Sequence, residues 1–286
     1  MDCYVLNDGT RIPMMGFGTY QVASAAPIRQ AIDAGYRFFD TASLYGTERI
    51  LGTAIRESGI PRDAFTVETK LWIDEMDDPE KALDRSLRRL GMDYVDIYMI
   101  HWPRQTGEMS EKWREKDLRV YEILEELVRK GKTRRLGLSN FLPHHLKNIL
   151  DNCTIRPVAD QLEIHPGYSQ EAAVRYCQDN NILPMAWSPF GRGEKQAAAG
   201  NEIIMKLAEK YGKSAQLINL RFLLQKGILP IPKASSEAHI RANLEAFDFE
   251  MSEEDLSMLS CMPQTTWLGE HPDFAIPTAK SSPDRD

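Results

Sequence analysis

Short runs of mostly apolar residues alternate with longer stretches whose apolar positions recur every three or four residues, and the alternation persists through most of the chain. The runs at 14–18, 36–39, 65–69, 94–100, 135–138, 158–162, 182–187 and 228–231 read as strands. The stretches at 25–34, 48–58, 78–90, 117–130, 143–150, 170–178 and 236–247 read as helices. Two helical patterns, 202–211 and 214–224, follow the seventh strand, and a last helix at 252–260 opens on Ser-x-x-Asp, close to a capping box. Pro79 suits a first helical turn and Gly131 a helix end. Ahead of all this, Asn7-Asp8-Gly9 between two short apolar runs predicts a hairpin. Strands that are apolar on both faces belong to a parallel sheet covered on both sides, and eight strand–helix units in this length fit a (β/α)8 TIM barrel. The expected fold is therefore an α/β (β/α)8 barrel with an N-terminal hairpin and two extra helices. A doubly wound sheet, the rival, would need fewer units or a second domain. No linker or shift in composition divides the chain, so one domain over 1–286 is expected, with an irregular tail, 263–286, laid over the active-site face.

With 286 residues and 42% hydrophobic content, one large core is within reach. The net charge of −7 argues against nucleic acid or an anionic membrane as partner, and leaves a small molecule. Cys3, Cys153, Cys177 and Cys261 are scattered without Cys-x-x-Cys spacing, which predicts free thiols rather than disulfides or a zinc site; no metal is expected. No segment approaches the roughly 18 consecutive apolar residues of a spanning helix, and the N-terminus lacks a basic region followed by an apolar one. The expectation is a soluble cytoplasmic protein, monomeric because no amphipathic stripe is left over once the barrel helices are assigned.

Within this pattern, three predicted strands end on ionisable residues. Asp40 closes the second, Lys70 the third and His101 the fourth, with Tyr45 shortly after Asp40. A charge at the end of a buried run is costly unless paired. In a barrel, strand C-termini form the active-site face, so all four residues converge on one rim. A tyrosine with its free pKa near about 10 is a poor acid at neutral pH. A neighbouring lysine ammonium favours the phenolate, and an aspartate keeps that lysine charged. With His101 donating to a substrate oxygen, the set suits general-acid catalysis on a carbonyl. Taken singly, Tyr45 reads equally as a packed aromatic, Asp40–Lys70 as a structural ion pair and His101 as a loop histidine. Their coincidence on one rim shifts the weighing.

The segments Gly35-Tyr36-Arg37-Phe38-Phe39-Asp40-Thr41-Ala42 with Tyr45-Gly46, Lys70-Leu71-Trp72 and His101-Trp102-Pro103 closely resemble signatures of the aldo-keto reductase superfamily. Gly137-Leu138-Ser139-Asn140-Phe141, Gln161 with His165-Pro166, and Ile231-Pro232-Lys233 extend the resemblance to most of the chain, which resembles bacterial 2,5-diketogluconate reductase-like members. It implies a barrel that binds NADP(H) without a Gly-x-Gly-x-x-Gly fingerprint and reduces aldehydes and ketones, with Tyr45 as acid, Lys70 and Asp40 tuning it and His101 orienting the carbonyl. Gly16-Phe17-Gly18-Thr19-Tyr20-Gln21 indeed lacks the third glycine of that fingerprint. The resemblance further places Gly18, Thr19 and Tyr20 along the cofactor, Ser139, Asn140 and Gln161 on its carboxamide, Trp187 against its ring, and Ser188, Phe190 and Gly191 along its pyrophosphate. Lys233, Ser235 and Ser236 would open a helix that meets a 2′-phosphate, and Asn243 would meet the adenine. Two departures stand out: Ala234 where many relatives have serine, and His239 where many have arginine. Neutral histidine is the weaker phosphate partner, so NADP(H) is expected with NAD(H) admitted as well. Substrate contacts are expected from Tyr20, Trp72, Trp102 and Trp267, with Phe274 in the tail. The charged segment after Pro103, with Glu108, Glu111, Lys112 and Arg114, is expected to be a solvated lid edge. The alternative is a non-catalytic nucleotide-sensing subunit on the same barrel. An isomerase or lyase using Lys70 as a Schiff base would leave Tyr45, Asn140 and Gln161 without a role.

Overall fold

The computed structural model describes residues 2–103, 112–191, 201–264 and 271–273. Strands β1 (Cys3–Val5) and β2 (Arg11–Pro13) form the antiparallel hairpin, with Cys3 opposite Pro13. Eight parallel strands follow: β3 (Phe17–Gly18), β4 (Phe38–Asp40), β5 (Thr66–Leu71), β6 (Val95–Ile100), β7 (Thr133–Ser139), β8 (Ala159–Glu163), β9 (Leu183–Trp187) and β10 (Leu229–Pro230). Each is hydrogen-bonded to its neighbour in chain order. The seam between first and last is closed by Gly16 N–H to Pro230 O and Gly18 N–H to Pro232 O, both 3.0 Å. A Cβ on Gly18 would press to 3.3 Å from Ile231, so the seam is tight there. Pro230 and Pro232 have no N–H to donate, which keeps the eighth strand short.

Helices α1 (Ala25–Asp33), α2 (Glu48–Glu57), α3 (Pro79–Leu90), α4 (Lys112–Arg129), α5 (Pro143–Leu150) and α6 (Glu171–Asp179) follow β3 to β8 in turn. After β9 come α7 (Glu202–Tyr211) and α8 (Ala215–Gln225), and after β10 come α9 (Glu237–Leu244) and α10 (Glu253–Ser260). Asp78, Ser214, Ser236 and Ser252 cap α3, α8, α9 and α10 by accepting a backbone N–H from the first turn. Two helix boundaries differ from the sequence reading by three residues or more. Helix α4 starts at Lys112 rather than near 117, its first turn anchored by Trp113 edge-on to His145, a contact no apolar periodicity announces. Helix α9 ends at Leu244 and passes into a 3-10 turn, Glu245–Phe247.

Side chains alternate across each strand, and this alternation builds the site. Phe38, Ile97, Met99, Ala159, Met185 and Leu229 point inward and join Leu6 and Ile12 of the hairpin, which plugs one end of the barrel. Phe39, Val67, Tyr98, Ile100, Leu136 and Leu138 point outward into the layer covered by helices. Two residues beyond the inward apolar positions, the same faces carry Asp40, His101, Gln161 and Trp187, and β5 carries Glu68 and Lys70. The interior thus turns from apolar to polar along its axis. Gly137 is required on the inner face of β7 because its register partner Met99 fills that space, leaving a Cβ only 2.7 Å from the methionine methyl. Outside the barrel, Gly52 of α2 lies so close to Leu90 O of α3 that a Cβ would overlap it.

Candidate active site

Three strand ends and one turn carry the predicted quartet to a single point. After β4, Ala42 is extended and Ser43–Tyr45 makes one 3-10 turn ended by Gly46 at φ 68°, which swings Tyr45 back over the barrel. Lys70 Nζ donates to Asp40 Oδ1, to Thr41 O at 3.1 Å and to the Tyr45 hydroxyl at 3.4 Å. The Tyr45 hydroxyl is 3.5 Å from His101 Nε2. Asn140 Nδ2 donates to His101 O at 2.9 Å and fixes the backbone that carries the imidazole. Trp72 stands edge-on to His101 at 4.8 Å, and Tyr20 tilts against Tyr45 at 5.0 Å. Trp72 and Trp102 are buried while Tyr20 is half exposed, so Tyr20 is the outer wall of the group.

Burial dominates the electrostatics. Lys70 is fully buried; burial pulls its pKa down, but Asp40, Tyr45 and Glu68 outweigh this and raise it, so it stays an ammonium. The Tyr45 hydroxyl is pushed above its ordinary value by burial, against the opposing pull of Lys70. The sequence reading had the lysine winning; here it acts in the expected direction and is outweighed. Tyr45 therefore holds its proton firmly at neutral pH. His101 is driven well below 6.5 by burial and by Lys70, so its ring is neutral, and its Nδ1 has no partner among the described residues.

Glu68 was missed. Its side chain is fully buried on the inner face of β5, two residues before Lys70, and Gln161 Nε2 donates to both Glu68 Oε1 (2.7 Å) and Asp40 Oδ1 (3.0 Å). The signal was present, since residues i and i+2 of a strand share a face.

The residues expected along a cofactor divide into two groups. Ser139, Asn140 and Trp187 meet at the ends of β7 and β9. Ser139 Oγ donates to Gln161 O at 2.9 Å and accepts from Asn140 Nδ2 at 3.1 Å, while Trp187 Nε1 donates to Asn140 Oδ1 at 3.0 Å. Asn140 sits at φ 62°, a left-handed conformation asparagine tolerates, which turns its amide across to His101. These side chains, with Gln161, are bonded to one another and to the centre, so gripping a carboxamide would exchange existing bonds. Thr19 is likewise occupied inside, donating to Asp40 O at 2.8 Å and lying 2.8 Å from the Thr47 hydroxyl. Lys233, Ser235, Ser236 and His239 are exposed around the first turn of α9, where backbone N–H groups and an ammonium suit an anion. Ala234 is buried in the core layer, and Tyr36 and Asn243 are buried against one another beneath the helix. Ser188 (φ 47°) and Gly191 (φ 69°) bracket a turn closed by Gly191 N–H to Ser188 O at 2.8 Å, with Phe190 half-buried between them. Trp267, Phe274, Glu108 and Glu111 lie outside the described residues, as does most of the tail.

Among the described residues, one cluster has metal-ligand spacing: His144, His145 and Asp273, with ligand atoms within 4.8 Å. Leu142 N–H donates to His145 Nδ1 at 3.2 Å, so the neutral ring carries its proton on Nε2, toward Asp273. His144 Nε2 is 2.9 Å from the same carboxylate oxygen. The cluster is a hydrogen-bonded tether that fastens 271–273 to the start of α5.

With this geometry in hand, comparison with known proteins is informative. The sequence profile of the Aldo/keto reductase family matches residues 14–261. A 9,11-endoperoxide prostaglandin H2 reductase of Trypanosoma cruzi is 35% identical over 282 residues, covering 96% of each chain. A glyoxal reductase of Bacillus subtilis is 35% identical over 278 residues, 95% of this chain and 96% of its own. Among solved structures, an aldo-keto reductase from a Medee basin deep-sea metagenome library superposes with a TM-score of 0.88 at 32% identity, over 96% of this chain and 100% of that one. A Bombyx mori aldo-keto reductase in complex with NADP superposes at 0.80 with 35% identity, over 90% and 91%. The chain belongs to the aldo/keto reductase family and is an oxidoreductase.

Proposed function

We propose that this protein reduces small aldehydes and ketones with NADPH, Tyr45 supplying the proton. The observation that carries the reading is the Tyr45 hydroxyl standing 3.4 Å from the Lys70 ammonium and 3.5 Å from His101 Nε2, at the polar mouth of the barrel. A carbonyl oxygen placed between Tyr45 and His101 would meet two hydrogen donors, the phenol and the imidazole Nε2–H. When bound, the dihydronicotinamide supplies a hydride to the carbonyl carbon. As negative charge grows on oxygen, Tyr45 gives up its proton to an alkoxide more basic than a phenolate, which is favourable even though burial has raised the tyrosine. Lys70 then faces the new phenolate at short range and stabilises it, while Asp40 balances the lysine before and after. His101 stays neutral throughout and orients rather than shuttles.

The cofactor assignment is supported by the fit of Lys233, Ser235, Ser236 and the α9 N-terminus to a phosphate, and by structural relatives solved with NADPH or NADP. His239, exposed on that turn, offers no permanent charge, so discrimination against NADH is expected to be weak. For the substrate, the glyoxal and methylglyoxal reductases among the relatives favour α-oxoaldehydes. The aromatic walls from Tyr20, Trp72 and Trp102 would pack a small apolar group beside the carbonyl. We assign the protein to a reducing compartment as a monomer; all four cysteines are free thiols, and no helix among the described residues is long and apolar enough to cross a membrane. The test is a panel of α-dicarbonyls, sugar-derived ketones and aromatic aldehydes, with NADPH or NADH, ranked by kcat/KM. Methylglyoxal or glyoxal should rank high, with measurable turnover on both cofactors. Failure of every carbonyl to oxidise either cofactor would favour the non-catalytic nucleotide-sensing alternative.

A further inference from the structure

Asp40 and Glu68 are register partners on adjacent strands, and both face the barrel interior. Like charges directly opposite in a sheet repel, and here water is excluded: Glu68 is 0% exposed and Asp40 4%. One Gln161 Nε2 reaches both carboxyls, which brings Oε1 and Oδ1 close together. Among the described residues Lys70 is the cation at this pair; it contacts Asp40 directly and lies 3.6 Å from Glu68 Oε1. Two carboxylates and one ammonium would leave a net negative charge beside Tyr45, where the proposed reaction creates another.

We propose that Glu68 is a positioning residue of the catalytic centre: as the neutral acid it gives its hydrogen to Asp40, and so holds the Asp40–Lys70 pair beneath Tyr45. One proton then serves two carboxyls, as in any pair of acids too close to ionise together. Glu68 Oε1 accepts from Gln161, and the acid O–H bridges to Asp40, so the pair is fixed from both sides. Burial and Asp40 both push the Glu68 pKa well above the carboxylate range, in keeping with this arrangement. The groups facing Glu68 are Asp40 from β4, Lys70 from its own strand, Gln161 from β8 and Tyr45 above; Glu48 approaches Thr69 on the opposite face of β5 and takes no part. Loss of the Glu68 proton at high pH would add a carboxylate that competes with Tyr45 for Lys70. A decline of reduction at alkaline pH is the expected consequence.

This inference rests on the reading of Tyr45 as the acid, and three measurements keep the two separable. Glu68→Gln retains an acceptor for Gln161 and an N–H for Asp40 but has no proton to lose. It should retain more of kcat than Glu68→Leu at neutral pH and move the alkaline limb of the kcat profile upward. Glu68→Leu removes both bonds and should lower kcat by up to about 100-fold, the cost of misplacing a catalytic group, with the KM for NADPH little changed. A protonated carboxylic acid C=O stretch should appear in the infrared difference between wild type and Glu68→Gln, and again when both carry Tyr45→Phe; Asp160, also raised by burial, is common to each pair and cancels. That band reports on Glu68 whether or not Tyr45 is the acid, and it needs neither activity nor the leucine variant. An unmoved alkaline limb in Glu68→Gln, a loss of kcat as deep as in Glu68→Leu, or absence of the band from the wild-type minus Glu68→Gln difference would each overturn the proposal.

Discussion

Lys70 is the residue on which the centre depends electrostatically. It is fully buried, and its positive charge is the counterweight to Asp40 and the partner of the Tyr45 hydroxyl. Removing one member of a buried ion pair leaves the other charge stranded, at a cost of about 3–5 kcal/mol. Lys70→Met is therefore expected to lower stability by that amount in urea unfolding, and to abolish reduction. A stable but inactive variant would mean that the Lys70–Asp40 pair does not contribute to stability. Asp40, Lys70 and His101 were legible in the sequence because ionisable residues at the ends of apolar runs stand out, and Tyr45 because it follows Asp40 so closely. Glu68 was not, because it lies within its run rather than at the end. Only the inward parity it shares with Lys70, and its pairing with Asp40 across to β4, reveal it. Parity is readable from sequence, but the register between strands is not.

Among the elements, the strands were the most legible and the connections the least. All eight strand–helix units stand where the alternation of patterns placed them, since burial on both faces imposes long apolar runs. The start of α4 and the tether at 271–273 escaped because each depends on a contact between distant residues, Trp113 with His145 and Asp273 with His144 and His145. Burial, with the charges of His144, Arg114 and His271, holds His145 down to about 3. A histidine whose folded pKa is depressed contributes stability that is complete above its unfolded value of 6.5 and is lost as pH falls toward 3. Glu68 and Asp160, both raised by burial, act with the opposite sign over part of this range, so total stability is a poor probe of the ring. The difference between wild type and His145→Gln isolates it. Between pH 7 and pH 4 the Tm of wild type should fall further than that of His145→Gln. Parallel curves would show that the ring titrates normally.

At the scale of the whole molecule, the chain puts an apolar plug at one end of the barrel and a polar, desolvated centre at the other. The hairpin residues Leu6 and Ile12 fill the first, and the inward ends of β4, β5, β6 and β8 make the second. This axial gradient lets a stable fold tolerate a buried lysine and several carboxyls, since the cost of burying them is confined to one layer. Cofactor contacts were less legible than the quartet. The side chains of Thr19, Ser139, Asn140 and Gln161 gather at the rim, where their hydrogen bonds go to one another and to Asp40 and His101.

The central claim is that Tyr45 is the proton donor of a carbonyl reductase, and the most direct measurement is kcat for methylglyoxal reduction by Tyr45→Phe together with the Kd of NADPH. Removal of a general acid costs about 10² to 10⁴ in rate, so kcat should fall by that factor while Kd changes little. A phenylalanine variant that reduces methylglyoxal at the wild-type rate, or one that loses NADPH binding in step with activity, would contradict the account.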